Sequence, residues 1–164
     1  MRSIQPATTD DIPQLCELLA ILFTQESDFQ PDAEKQSAAL HEIITHPASG
    51  QILLLRENDE IIGMVNLLFT TSTACGGKAA WLEDMIIHPA RRGDGLGSQL
   101  LQAAIAFAQG EGCLRITLLT DRANDAAIRF YQRHGFGVSA MMPMRLGLVE
   151  SDAPDIHRWR GKKD

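Results

Sequence analysis

Apolar residues at Ile12, Leu15, Leu18, Leu19 and Leu22 fall on one helical face, the spacing of an amphipathic helix. Thr9 or Asp10 is placed to cap it, and Pro13 is tolerated in its first turn. The polar, acidic stretch 24–31 reads as a loop, and a second helix is expected from about Asp32 to His46, stopped by Pro47. Dense apolar runs at 51–56 and 61–69 predict two strands joined by a turn at Asn58-Asp59. A short opening strand is expected at 3–7. Residues 70–78, with Gly76-Gly77, read as a flexible hairpin loop. The run 81–87 predicts a further strand. In the helix expected from Gln99 to Gln109, residues Leu100, Leu101, Ala104, Ile105 and Ala108 share a face, and Gly110 is the expected stop. Residues 114–119 predict a strand and 124–134 a helix ended by Gly135. Residues 136–146 are expected to form one or two closing strands, broken near Pro143.

The order strand, helix, strand, helix, strand in the second half implies a parallel pair with a right-handed crossover. The first half supplies helices and antiparallel hairpins. Together they predict an α/β sandwich on a mixed sheet. At 164 residues the chain is expected to be one domain over 1–146, followed by a polar tail at 147–164. The net charge of −6 gives a nucleic-acid partner no electrostatic support. No apolar run approaches the roughly 18 residues of a membrane span, and no signal-peptide pattern is seen, so a cytoplasmic location is expected. Cys16, Cys75 and Cys113 are too scattered for a metal knuckle and odd in number, so they read as reduced thiols. No metal is expected. Met141, Met142 and Met144 read as strand packing, and Trp81 as a core residue.

The stretch most charged with chemistry is Arg91-Arg92-Gly93-Asp94-Gly95-Leu96-Gly97-Ser98. Glycines on alternate positions let successive backbone N–H groups converge, and a helix starting there adds free N–H groups and the positive end of its dipole. The expectation is a phosphate or pyrophosphate site. A P-loop is set aside because no lysine precedes Ser98. A dinucleotide fingerprint fits Gly93-x-Gly95 with Asp121 about 20 residues on. However, Pro89-Ala90-Arg91-Arg92 stand between the strand and the first glycine, and too little chain follows for a second nucleotide-binding half.

Arg92-x-x-Gly95-x-Gly97 resembles the acyl-CoA pyrophosphate motif of the GNAT superfamily of N-acyltransferases. Asn124-x-x-Ala127-x-x-Phe130-Tyr131-x-x-x-Gly135-Phe136 resembles that family's second motif, at a typical distance. The resemblance covers about residues 2–146. It implies a mostly antiparallel mixed sheet whose two central parallel strands splay apart, with helices on both faces. Acetyl-CoA, as co-substrate, would lie in the V. Its pyrophosphate would rest on Arg92, Gly93, Asp94, Gly95, Leu96, Gly97 and Ser98. Its pantetheine arm would pair with backbone at Met85, Ile86 and Ile87, and Asn124 would line the cofactor side. The implied activity is acetyl transfer to the primary amine of a small molecule, by direct attack. Homodimers are common among similar proteins.

An alkylammonium must lose a proton before it can attack a thioester, and a carboxylate can take it. Glu83 and Asp84 are candidates. Being adjacent in a strand, they are expected to point to opposite faces. Leu82-Glu83-Asp84 is similar to the polyamine acetyltransferase branch, which favours Glu83 as base. By the family resemblance Tyr131, the chain's one tyrosine, would protonate the leaving thiolate. Glu26, Asp28, Asp32 and Glu34 crowd the loop between the first helices and suggest a small cationic acceptor. A different class, a catalytically silent acyl-CoA-binding regulatory domain, shares these cofactor motifs.

Overall fold

The computed structural model describes residues 1–26 and 30–149. Its strands are β1 (Arg2–Pro6), β2 (Gly50–Glu57), β3 (Glu60–Ser72), β4 (Gly77–Ile87) and β5 (Ile116–Leu118). Its helices are α1 (Ile12–Gln25), α2 (Ala33–Thr45), α3 (Leu96–Gly110) and α4 (Asp125–Arg133). The strands lie in chain order, β1-β2-β3-β4-β5. The first three pairings are antiparallel, and β4–β5 is parallel.

Local chemistry accounts for the meander. β2 and β3 pair Glu57 opposite Glu60, leaving Asn58-Asp59 as a two-residue turn. Such a turn requires positive φ, and Asn58 supplies it at 55°. Ile52, Leu53, Leu54 and Leu55 are all buried, because β2 is covered on both faces. Leu53 and Leu55 join the core beneath α3, with Val65, Leu67, Leu100, Leu101 and Ala104. Ile52 and Leu54 join the opposite core beneath α1 and α2, with Leu15, Leu19, Leu40 and Met64. Gly50 is required where it stands, since a Cβ would lie 2.5 Å from the Leu67 carbonyl oxygen.

The entry to α1 is held by charge. The Thr8 backbone N–H donates to the Asp11 carboxylate at 2.8 Å, and the Arg56 guanidinium reaches it at 2.5 Å. Burial works against that carboxylate, but the Thr8 and Arg56 contacts outweigh it and lower its pKa. A lowered acid stabilises the fold above its unfolded value of 3.8, and that stability is lost as pH falls through the folded value. Asp11→Asn is therefore expected to lower the urea midpoint at pH 7 and to leave it nearly unchanged at the acid end, where the native carboxyl is also neutral. On the other face of the sheet, Leu100 is fully buried against the core. Leu100→Ala is expected to cost about 2–5 kcal/mol in urea unfolding, through lost transfer energy and a cavity.

Three boundaries differ from expectation. α3 begins at Leu96, so Leu96, Gly97 and Ser98 of the glycine motif are already helical. Both β3 and β4 run into the expected hairpin loop, shrinking it to residues 73–76. Residues 136–149 form no strand. Their period-2 apolar residues Met142, Met144, Leu146 and Leu148 stand 68–89% exposed, and among the described residues β5 is the sheet's edge. The methionines are thus not strand packing. Trp81 is also not a core residue, at 38% exposed. Of the expected tail, residues 150–164 lie outside the described residues, as does Asp28 of the acidic loop.

Candidate functional site

β4 and β5 are paired only at Ala80–Ile116, Trp81–Thr117 and Leu82–Leu118. Among the described residues, the β5-facing edge of β4 has no strand partner beyond Leu82, and that edge includes Met85, Ile86 and Ile87. Their side chains anchor the strand: Ile87 is buried in the α3 core with Met85 packed against it, and Ile86 lies in the α1–α2 core. The backbone between them is left available along one side.

β4 ends in a short 3-10 turn, Pro89–Arg91, capped by His88 Nδ1 accepting from the Ala90 N–H at 3.1 Å. Gly93 then adopts φ 102° and Gly95 φ 72°. Both angles belong to the left-handed half of the map, where side chains are rarely tolerated. Gly95 is the N-cap of α3, so the first N–H groups of that helix have no helical acceptor. Leu96 is buried and anchors the turn, while Asp94 is exposed. Arg92 folds back, its Nε donating to the Ile87 carbonyl at 3.1 Å. Arg91 is committed elsewhere: it pairs with Glu57 at the end of β2. Glu57 also accepts from Arg2 at 3.1 Å. These guanidinium contacts, that of Arg91 first, hold the Glu57 carboxyl down to about 2.

α4 packs on the start of α3. A Cβ on Gly97 would sit 3.5 Å from the Phe130 ring, and Ser98 Oγ lies 3.0 Å from His134 Nε2. Asn124 caps α4, its Oδ1 accepting from the Ala127 N–H at 3.1 Å. Tyr131 stacks edge-on against Phe130 and Phe136, with centroids 5.2 and 5.6 Å apart. Its hydroxyl is pushed up to about 12, by burial first and by the charge of Glu26 second. The end of α1 therefore bears electrostatically on α4. Asp32, by contrast, is used as the N-cap of α2, accepting from the Lys35 N–H at 3.2 Å.

The two β4 carboxylates do not alternate as a regular strand would make them. Asn66 pairs with Glu83 and Met64 with Ile86, so one residue of β3 opposes two of β4. This is a β-bulge. Asp84 lies in it at φ 53°. Asn66 Nδ2 donates to Asp84 Oδ2 at 3.4 Å, which holds Asp84 over the same β3 residue that stands opposite Glu83. Glu83 is exposed, whereas Asp84 is half-buried and its carboxyl is pushed up to about 6. Burial is the first cause, the neighbouring Glu83 charge the second, and the Asn66 bond opposes both. Asn66 was not singled out in the sequence. Its signal was a lone amide inside the apolar run 61–69.

A groove of about 940 Å³ lies between α1 and α2 and is lined by Ile12, Pro13, Cys16, Glu17, Ala38 and His41 among others. It includes none of the motif residues. Among the described residues no group of three or more His, Cys, Asp or Glu could hold a metal ion, and no helix is long and apolar enough to cross a membrane.

The family model described as "Acetyltransferase (GNAT) family" matches residues 12–136. The N-acetyltransferase YhfO of Bacillus subtilis is 30% identical over 139 residues, covering 82% of this chain and 89% of that one. The aminoalkylphosphonate N-acetyltransferase of Salmonella typhimurium is 28% identical over 133 residues, covering 81% and 83%. Among solved structures, the integron cassette protein HFX_CASS3, from the mobile metagenome of Cole Harbour Salt Marsh, superposes with a TM-score of 0.78. It is 26% identical and is covered over 91% of its length, against 90% of this chain.

Proposed function

The chain belongs to the GNAT acetyltransferase family, and from that premise we propose that it moves the acetyl group of acetyl-CoA directly onto the primary amine of a small cationic molecule. The observation that carries this reading is the parting of β4 from β5 just where β4 runs into a left-handed glycine turn and the N-terminus of α3. A pyrophosphate needs converging N–H donors, and a pantetheine arm needs unpaired strand backbone. Both lie on one continuous stretch, residues 85–98.

In this reading the backbone of Arg92, Gly93, Asp94, Gly95, Leu96, Gly97 and Ser98 receives the pyrophosphate. Met85, Ile86 and Ile87 pair with the pantetheine amides, and Asn124 lines the cofactor side while capping α4. Tyr131 is the proton donor to the departing thiolate. A β4 carboxylate takes the proton of the attacking ammonium, and the likeness to the polyamine branch favours Glu83. Glu26, whose charge bears on Tyr131, favours a cationic acceptor. The Salmonella relative's substrate class, an aminoalkylphosphonate, is also a small amine and belongs in any test.

The experiment is CoA release over a panel containing spermidine, aminomethylphosphonate, glucosamine 6-phosphate and methionine sulfoximine. Turnover of at least one amine, with acetyl-CoA bound and displaced by CoA, is the expected outcome. Acetyl-CoA binding without turnover of any amine would favour the silent acyl-CoA-binding alternative.

A further inference from the structure

Two non-glycine residues in the described chain have positive φ, Asn58 and Asp84. Asn58 needs no further explanation, being in a tight turn. Asp84 lies inside an eleven-residue strand, β4, where no turn demands that conformation. Strain of this kind persists when the surroundings over-determine it, and it gathers at working sites. A second anomaly touches it. Asn66, 2% exposed, donates its Nδ2 to Asp84, while its Oδ1 is fully buried and has no hydrogen-bond partner among the described residues. A buried acceptor left unpaired costs free energy, so this spot carries a second cost beside the strained φ of Asp84.

We infer that Asp84, held in the β4 bulge by Asn66, is the carboxylate that binds the acceptor ammonium and takes its proton, in place of Glu83. This rests on the acetyl-transfer reading above. An ammonium has three N–H donors, and one of them can reach the half-buried Asp84 carboxylate directly or through one water. One ammonium proton passes to Asp84. The freed nitrogen lone pair forms the C–N bond at the thioester carbonyl, and the C–S bond breaks as the tetrahedral adduct collapses. The second nitrogen proton ends on the CoA sulfur, and Asp84 later releases the first to solvent. The sum is amide, thiol and one proton.

Asn66 is a positioning residue here. Glu83, the charged neighbour that bears on Asp84, raises its proton affinity. An aspartate with its carboxyl near 6 is charged at neutral pH yet basic enough to accept a proton.

The test takes the amine from the panel with the highest turnover and measures kcat/KM from pH 5 to 10. The unaltered chain should show an acid limb near pH 6. Asp84→Asn should lower kcat/KM at pH 7 by about 10²-fold, and the limb should be replaced by a tenfold rise per pH unit toward the amine's own pKa. Asn66→Ala should move the limb to higher pH by removing a hydrogen bond to the charged form. Glu83→Gln should move it to lower pH by removing a repelling charge. A merely structural Asp84 would lose activity without moving the limb.

Retention of the limb in Asp84→Asn, or its loss in Glu83→Gln, overturns the inference. If Asp84→Asn fails to bind acetyl-CoA in a calorimetric titration, the opposite shifts of the other two variants carry the test, and their absence overturns it. If the unaltered chain turns over no amine, the acetyl-transfer reading falls and the role of Asp84 with it. Turnover by the unaltered chain with an unmoved limb in every variant overturns the assignment of Asp84 alone.

Discussion

Gly95→Val is expected to weaken acetyl-CoA binding by at least tenfold while leaving the fold intact. A Cβ at Gly95 would meet no protein atom within 4 Å, so the substitution creates no clash in the protein itself. The penalty is conformational: Gly95 sits at φ 72°, and a β-branched residue there is a genuine outlier. The left-handed region costs an ordinary residue roughly 1–2 kcal/mol, and about 1.4 kcal/mol is a factor of ten in affinity. To escape, the turn must shift and spoil the convergence of its N–H groups, and the added methyls stand on the open side where a pyrophosphate would approach. Gly97→Ala is the paired control. Its Cβ would sit at ordinary contact distance, 3.5 Å from Phe130, inside a regular helix. Calorimetric titration that finds equal affinity in Gly95→Val and the unaltered chain would remove the pyrophosphate from this turn.

Tyr131→Phe is expected to lower kcat on the order of 10²-fold, the lower end for acid catalysis, with acetyl-CoA affinity nearly unchanged. The ring keeps its packing against Phe130 and Phe136, and only the hydroxyl is lost. With its pKa near 12 the phenol is a far weaker acid than a thiol near 8.5. In the proposed role it would donate only as charge builds on sulfur, and the modest factor follows. The sign with pH is also set: the phenol stays protonated across the assay range, so kcat should show no basic limb belonging to Tyr131 below about pH 11. Wild-type turnover in the phenylalanine variant, with acyl transfer rate-limiting, would make Tyr131 a packing residue.

What could be read from the chain was whatever neighbours in sequence decide. The α3 face, the helix that starts beside Asn124 and the glycine turn are local, and each is found where its residues predicted it. Family membership followed from the same local motifs. The expected closing strands failed for a non-local reason. Met142, Met144, Leu146 and Leu148 alternate as strand residues do, but alternation specifies a face and not a pairing partner, and Pro143 and Gly147 weaken the run. Asp84 was misjudged in the same way. Strict alternation of Glu83 and Asp84 holds for a regular strand, whereas a bulge is a property of two strands in register. It arises from how β3 meets β4, and the only local hint was the amide of Asn66 among apolar neighbours. Arg91 stands beside the glycine turn in sequence, but the fold brings Glu57 to it from 34 residues upstream in the chain.

The bulge has a thermodynamic consequence that activity assays would not reveal. Asp84 has its carboxyl near 6 when folded, against 3.8 for the free side chain, so the unfolded chain gives up that proton more readily. Stability from this group is greatest below pH 4, declines as pH rises toward 6, and stays lower above it. Two pKa units correspond to about 3 kcal/mol. The neutral isostere Asp84→Asn should therefore melt at a higher temperature than the natural chain at pH 8, and the gap should close as the pH approaches 4. A variant of this protein selected for heat resistance alone would be expected to discard the carboxylate inferred above to take the acceptor's proton.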